Sequence, residues 1–453
     1  MKNIKYLIIF FGILYASHAF SENDYDIKIL PEIYKSKSGI EFIIHEKHNS
    51  EIITMNLYFK NSGYIYEKDN QKGISTLATI LLKKYATTNI GIDEFSKHLF
   101  KKGIVINFSN YADGIIMDVM CLSHDLSETL DYVTMLIGEN KKIDGNLFKN
   151  TKKILIENIE NETKNINYIA YKELTNALLN TADPYYESIE HNIEKITRND
   201  INNFIDSHFS LNNVIISVAG DINKKDFRDI LDKHLILSKK SDKINIKHLD
   251  HSNIFNEKKE NKSIHFKGGD QHIISFALPS LYLNGKPKRD SGEYYAQMLL
   301  INKLQRSGDG YLFKYLRGNL GLTYSSYAHI ASYDNLEYIY GKLLTNNSNK
   351  LKVIEAFNEM LNDISQGVTK EELQAMKATY IGEMIVTLGF SSIDYTYTML
   401  NMLEGSYPLN YLSKLIDNIN KVTVSDINKV AKQIFDKNKL VLISVGDDEK
   451  EKS

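Results

Sequence analysis

A repeat with constant spacing constrains the fold of this 453-residue chain more than any other feature of its sequence. Residues 193–221 recur as residues 419–447, at an offset of 226 without a gap and with ten identical positions. Each copy predicts a helix with a threonine N-cap, Thr197 or Thr423, followed by a strand and a Gly-Asp pair. Because the offset is close to half of the chain, the repeat predicts two related domains.

The pattern around the repeat predicts the fold class and the domain boundaries. Hydrophobic residues make up 43% of the chain and charged residues 25%, which is typical of a globular protein with a real core. Both halves mix helical patterns with antiparallel-looking strands, which favours the α+β class. Residues 238–263 are rich in Lys, Asp, Asn and His and predict an exposed linker between an N-terminal domain, 22–237, and a C-terminal domain, 264–453.

The N-terminus predicts export. A short basic region precedes an apolar run and the small residues Ala16 and Ala19, which is the pattern of a signal peptide over residues 1–21. An uncleaved anchor is the alternative. No other apolar run is long enough to span a membrane, so we expect a soluble mature protein, periplasmic if the source is a Gram-negative bacterium. The formal net charge of −2 gives no reason to expect a nucleic-acid partner.

Most familiar catalytic arrangements are missing from the sequence. Cys121, the only cysteine, lies in an alternating strand pattern and is interpreted as a core thiol. His45 and His48 flank a short polar segment without the helical spacing of a zinc motif, so a polar hairpin loop is expected there. We find no Gly-x-Ser-x-Gly motif, no Cys–His pair and no phosphate-binding loop, so an independent hydrolase is a weak hypothesis.

One polar corner stands out in the second half. Arg317 is predicted near the end of a helix and Tyr324 near the start of a strand, with Gly321 allowing a turn between them. A guanidinium and a phenol at such a corner can donate hydrogen bonds to a carbonyl or a developing oxyanion. Spacing alone favours the simpler interpretation, a surface arginine and a half-buried tyrosine.

The same corner resembles the R-x-x-x-G-L-x-Y element of the insulinase/pitrilysin family of zinc peptidases, the inverzincins, which include mitochondrial processing peptidase. The matching residues are Arg317, Gly321, Leu322 and Tyr324, and the resemblance covers nearly all of the mature chain. It implies two α/β-roll domains of similar fold. It also implies that Arg317 and Tyr324 help to hold a peptide substrate and to stabilise the reacting carbonyl.

The family's zinc motif, H-x-x-E-H followed by a distant Glu, is degenerate in this chain. Thr76 and Ile80 occupy the positions of the two histidines, and Thr79 occupies that of the catalytic glutamate. Glu157, which lies 77 residues after Ile80, matches the remaining ligand, while Asn150 replaces its supporting acid. One carboxylate cannot hold a catalytic zinc ion. We therefore expect no metal in this chain and interpret Glu157 as a solvated or paired helix residue.

The resemblance implies a specific function. Some family members work as pairs in which one subunit brings the zinc site and the other brings the arginine–tyrosine element. This chain has the second set only, which predicts the non-catalytic subunit of an exported heterodimeric zinc peptidase that acts on peptides or unfolded proteins. The zinc would belong to the homologous partner. The alternative is a peptide-binding or structural peptidase-like protein with no peptidase partner.

Overall fold

The computed structural model describes residues 31–90, 92–138, 143–186, 192–239, 250–255, 261–283, 287–318, 320–333, 335–390 and 392–447. The predicted signal peptide lies outside the described residues, as does much of the predicted linker. None of the described helices is long and apolar enough to cross a membrane.

The first half of the described chain forms one sheet and the helices that cover it. Its strands are β1 (Ile33–Lys35), β2 (Glu41–Glu46), β3 (Ile52–Lys60), β4 (Val105–Asn110), β5 (Gly114–Leu122) and β6 (Val214–Gly220). Its helices are α1 (Ile74–Ile90), α2 (Ile92–Lys102), α3 (Leu126–Ile137), α4 (Gly145–Glu162), α5 (Ile166–Leu178), α6 (Arg198–His208) and α7 (Lys224–His234).

The second half is built in the same way. Its strands are β7 (Lys262–His265), β8 (Gln271–Pro279), β9 (Ser325–Ser332), β10 (Glu337–Asn346) and β11 (Val441–Gly446). Its helices are α8 (Gly292–Gln305), α9 (Lys350–Ser365), α10 (Lys370–Phe390), α11 (Ser392–Glu404), α12 (Tyr411–Lys421) and α13 (Val424–Ile434). A π-helix, Phe313–Gly318, follows α8.

The two sheets have the same topology. The first has the order β1-β2-β6-β3-β5-β4 and the second the order β7-β11-β8-β10-β9, so the second matches the first without β1. In each sheet one parallel pair, β2 with β6 or β7 with β11, adjoins strands that pair antiparallel. The α+β class and the presence of two related halves are therefore confirmed.

The sequence repeat corresponds to matching local structure. Thr197 and Thr423 both cap their helices, α6 and α13, in capping boxes with Asp200 and Asp426. A Cβ atom added at Gly446, which ends β11, would lie 2.0 Å from the ring of His272. At the equivalent glycine, which ends β6, the added atom would lie 2.2 Å from a backbone oxygen of β3. Close packing thus leaves no room for a side chain at the glycine of each Gly-Asp pair.

The two halves exchange a helix. Helix α5 of the first half packs on β8 and β11 of the second sheet, and α11 of the second half packs on β3 and β6 of the first sheet. The two helices have the same length and start at residues 166 and 392, which keeps the offset of 226. Each half therefore buries one face of its sheet against a helix supplied by the other half.

Two sequence expectations need correction. β2 and β3 are not a hairpin, because β6 lies between them, and His48 instead contacts Asp221 at 2.8 Å. The predicted linker is not uniformly exposed, since His251 and Phe255 are buried and His251 Nε2 lies 2.8 Å from the Asp183 carboxylate. Because these two rings are buried, this part of the segment packs against the folded chain and is not a solvated loop.

Candidate functional site

The degenerate zinc position lies on α1, against the edge strand β4. Thr79 is buried, and its hydroxyl donates to the backbone oxygen of Thr76 at 3.0 Å. The side-chain amide of Asn110, at the end of β4, donates to the hydroxyls of Thr76 and Thr79 at 3.4 and 3.3 Å. A hydroxyl–amide network therefore occupies the face of α1 on which the resemblance places the family's zinc motif.

Glu157 does not join this network. It lies on α4, its side chain is 55% exposed, and its carboxylate is 3.7 Å from the ammonium group of Lys153 one helical turn earlier. This is the paired helix residue that the sequence indicates. An exposed pair of this kind contributes little to stability.

The residues at this position do not fit a zinc ion. Ile80 has no donor atom, the threonine hydroxyls bond to neutral partners, and zinc sites require imidazole, thiolate or carboxylate ligands. Nowhere in the described part of the chain do three or more His, Cys, Asp or Glu side chains form a group that could hold a metal ion. No general base replaces the family's glutamate at Thr79. This face of α1 therefore cannot activate water for peptide hydrolysis.

The arginine–tyrosine corner is a compact turn. Arg317 lies in the last turn of the π-helix, and Gly321, at a φ of +58°, closes the turn by donating to the Arg317 backbone oxygen at 3.0 Å. The backbone N–H of Tyr324 donates to the Leu344 oxygen at 2.8 Å, just before β9 begins. The structure therefore places Arg317 at a helix end and Tyr324 at a strand start, as predicted, although the helix has π geometry.

Both side chains of the corner face solvent. Tyr324 is 62% exposed, Leu320 between the two is 57% exposed, and Arg317 is also exposed. Among the described residues, neither the guanidinium of Arg317 nor the phenol of Tyr324 makes a hydrogen bond or an ion pair, and none joins them to Thr76 or Thr79. The tyrosine is more exposed than the half-buried residue that spacing suggests. Both polar groups thus remain available to a molecule outside this chain.

A cavity between the halves was not predicted from the sequence. It has a volume of about 440 Å³ and is lined by residues of both sheets and of the exchanged helix α11. Arg289 is its only basic lining residue among those described. One sequence signal could have indicated that the halves pack together in this way. The segments of α5 and α11 keep the constant offset, so Tyr171 and Leu174 align with Tyr397 and Leu400.

Comparison with known proteins identifies relatives of this chain. Residues 195–380 match the family model described as "Peptidase M16 inactive domain". The chain is 21% identical over 425 residues to "Non-peptidase homolog YmxG" of Helicobacter pylori, covering 92% of this chain and 94% of the relative. It is 21% identical over 416 residues to "Uncharacterized zinc protease YmxG" of Bacillus subtilis, covering 89% of this chain and 95% of that protein.

Solved structures share the fold. An M16 inactive-domain protein of Pseudomonas fluorescens matches with a TM-score of 0.78 and 19% identity, over 92% of this chain and 98% of that one. The periplasmic protease PqqL of Escherichia coli matches with a TM-score of 0.68 and 12% identity, over 94% of this chain and 47% of PqqL. At such identities these likenesses establish the fold. The family resemblance suggested by the motifs is confirmed.

Proposed function

Since this chain belongs to the insulinase/pitrilysin (M16) family of peptidases, we propose that it is the non-catalytic subunit of an exported two-subunit zinc peptidase. In this proposal the chain contributes Arg317 and Tyr324 to the active site of a homologous partner that carries an intact H-x-x-E-H motif. The substrate is a peptide or an unfolded protein, and zinc is bound by the partner. A relative named as a non-peptidase homologue and a matching family model described as an inactive M16 domain support a non-catalytic role.

The observation that carries the proposal is a contrast between the two sites. The zinc position on α1 holds only Thr76, Thr79 and Ile80, which cannot perform hydrolysis. The corner, in contrast, keeps two exposed donors that no contact within the described chain uses. A guanidinium and a phenol suit the stabilisation of a developing oxyanion, and they can act at a zinc site supplied by another subunit.

Export is the second part of the proposal and rests on the sequence. The signal-peptide pattern of residues 1–21 supports secretion, and a periplasmic protease shares the fold. The partner should then be exported as well, because the two subunits must meet in the same compartment. Cell fractionation and N-terminal sequencing would test this part. The mature chain should be found in the periplasmic fraction, with a new N-terminus at residue 20 or 22.

The first prediction concerns the corner. The isolated chain should cleave no peptide and retain no zinc, and activity should appear when an M16 subunit with intact H-x-x-E-H from the same organism is added. The double variant Arg317→Ala with Tyr324→Phe should lower kcat of the pair by roughly 100-fold, since loss of one oxyanion donor has effects of this order. The measurement is cleavage of a fluorogenic peptide library by the reconstituted pair.

A matched control separates this effect from damage to the fold. The variant Arg198→Ala with Tyr34→Phe removes the same types of group from the first half and should leave kcat unchanged. Full activity of the Arg317/Tyr324 variant would contradict the role of the corner. A chain that binds peptide but never forms a pair with a zinc-bearing subunit would instead favour the alternative, a peptide-binding or structural protein.

A further inference from the structure

The helix that carries Arg317 has an uncommon geometry. Residues Phe313–Gly318 form a π-helix, and Arg317 lies in its last turn. A π-helix closes its hydrogen bonds one residue further along the chain than an α-helix does, and such elements are rare and frequent at functional sites. Conversion to α-helical geometry would shift the register by one residue and rotate Arg317 around the helix axis by about 100°. The register of this helix therefore sets the direction of the guanidinium.

Two tyrosine hydroxyls tie this part of the chain to neighbouring helices. The Tyr311 hydroxyl donates to the Glu372 carboxylate of α10 at 2.7 Å, and the Tyr315 hydroxyl donates to the Asp363 carboxylate of α9 at 2.8 Å. Hydrogen bonds to an ionised acceptor are stronger than those between neutral groups. These two contacts, the hydroxyl anchors, connect the residues just before Arg317 to two different helices.

Both phenols keep their protons at neutral pH. Burial, followed by the hydrogen bond to Asp363, raises the pKa of Tyr315 to about 12. Burial, followed by the hydrogen bond to Glu372, raises the pKa of Tyr311 well above its usual range. Each hydroxyl is therefore a hydrogen-bond donor over the whole pH range in which the carboxylates are ionised.

One side of the π-helix is not packed against another element. A cavity of about 530 Å³ lies there, and Phe313, Lys314 and Gly318 form part of its wall. Leu316, in contrast, is fully buried. Because a close-packed interior restrains a helix and an open side does not, packing restrains this helix on one side only. The hydroxyl anchors supply a restraint that packing alone does not.

The Tyr324 end of the corner is held separately. Thr345 Oγ1 of β10 donates to the Leu322 backbone oxygen at 2.5 Å, and the Tyr324 N–H donates to the Leu344 oxygen at 2.8 Å. Strand β10 thus fixes the backbone at Tyr324, whereas the hydroxyl anchors lie on the Arg317 side. The placement of the guanidinium relative to the phenol therefore depends on both.

From this arrangement we propose that Tyr311 and Tyr315 are positioning residues, whose hydroxyls hold the π register and so fix the direction of Arg317 relative to Tyr324. Neither tyrosine touches the substrate. Without the two hydrogen bonds, the segment takes the commoner α-helical register and Arg317 turns away from its present direction. The consequence for peptide cleavage rests on the proposed function, whereas the control of the register does not.

Distances between two spin labels on the full mature chain test the register. Arg317→Cys carries one label, and the reference label is placed in turn at Lys153→Cys on α4 and at Leu351→Cys on α9, both exposed positions. Two references are used so that a rotation is detected whatever its direction. The native Cys121 is buried and does not compete for the label.

The variants remove the hydroxyl anchors from either side. Tyr311→Phe with Tyr315→Phe should shift the label distances by several ångströms, and Asp363→Ala with Glu372→Ala should produce the same shift, because it breaks the same two bonds. Tyr132→Phe removes a tyrosine–carboxylate hydrogen bond of 2.7 Å in the first half and should leave the distances unchanged. Circular dichroism checks that each variant is folded. Unchanged distances in the two folded double variants would overturn the proposal.

Cleavage by the reconstituted pair shows whether the register acts through Arg317. Tyr311→Phe with Tyr315→Phe should lower kcat by about tenfold, because a small misplacement of a reacting group has a large effect. The same change should lower kcat no further in an Arg317→Ala background, since residues that act through one another are not additive. A full additional loss in that background would contradict the positioning role. If the wild-type pair cleaves no peptide, the proposed function fails, and the label distances still decide whether the hydroxyls hold the register.

Discussion

A charged cluster joins α2 to α3, and Glu128 lies at its centre. Its carboxylate is 2.5 Å from the Lys102 ammonium, accepts a 2.7 Å hydrogen bond from the Tyr132 hydroxyl and lies 2.8 Å from His98 Nε2. These partners, with Lys102 the strongest, lower the pKa of Glu128 to about 2. The folded-state pKa lies below the unfolded value of about 4.3, so the cluster stabilises the fold above that pH and loses this contribution as the pH falls towards 2.

We predict that the contribution of Glu128 to the free energy of unfolding depends on pH. Glu128→Gln should lower the free energy of unfolding at pH 7 by up to about 1 kcal/mol, because the group is partly exposed and screened. The difference from wild type should shrink as the pH is lowered from 5 to about 3, as measured by urea unfolding. Glu160→Gln, which changes an exposed acid on α4, is the control. A difference that stays constant over this pH range would contradict the assignment.

Single residues also show what the sequence could and could not reveal about the site. The sequence predicts that Thr76 and Ile80 do not ligate zinc, because neither side chain is an imidazole, a thiolate or a carboxylate. The contact of Asn110 with the two threonines was not readable, since it requires β4 to lie beside α1 in three dimensions. The exposure of Tyr324 was not readable either, because it depends on how the turn at Gly321 is aimed.

The two repeated N-caps should contribute equally to the stability of the fold. Thr197 and Thr423 cap α6 and α13 with nearly the same backbone torsions, φ −97° and −102° with ψ 163° in both. Thr197→Ala and Thr423→Ala should therefore each lower the free energy of unfolding by about 1 kcal/mol, and their effects should add. Thr398→Ala on α11 is the control, since its hydroxyl only bonds back within the helix and alanine favours helix. A clear loss at one cap alone would contradict their equivalence.

Elements were predictable where the signal is local. Helices α6 and α13 begin directly after Thr197 and Thr423, the caps that the repeat predicts. The order of strands was not predictable, because β6 separates β2 from β3 and lies more than 150 residues further along the chain. The burial of Phe255 was not predictable for the same reason, because the elements that cover it are distant in sequence. The boundaries of the two domains stay a prediction.

The exchange of α5 and α11 joins the two halves into one unit. Leu174 of α5 is buried in a cluster with strands of the second half, and Leu400 of α11 is buried with Tyr58, Ile116 and Ile215 of the first. A hydrogen bond of 2.7 Å from the Tyr397 hydroxyl to Asp118 adds a polar link between the halves. In each sheet, the face that contacts the exchanged helix is buried by a helix of the other half. Each half alone would therefore leave this face of its sheet exposed.

This coupling predicts one cooperative unfolding transition rather than two. Leu174→Ala and Leu400→Ala should each lower the free energy of unfolding by about 3 kcal/mol, the usual effect of truncating a buried leucine. Both variants should keep a single transition in urea, and hydrogen exchange in β3 and in β8 should accelerate together, because loss of either helix contact exposes both halves. Leu351→Ala, at a position 60% exposed on α9, should change little. If Leu400→Ala accelerated exchange in β3 and left β8 protected, the two halves would unfold separately and the exchanged helices would not hold them as one unit.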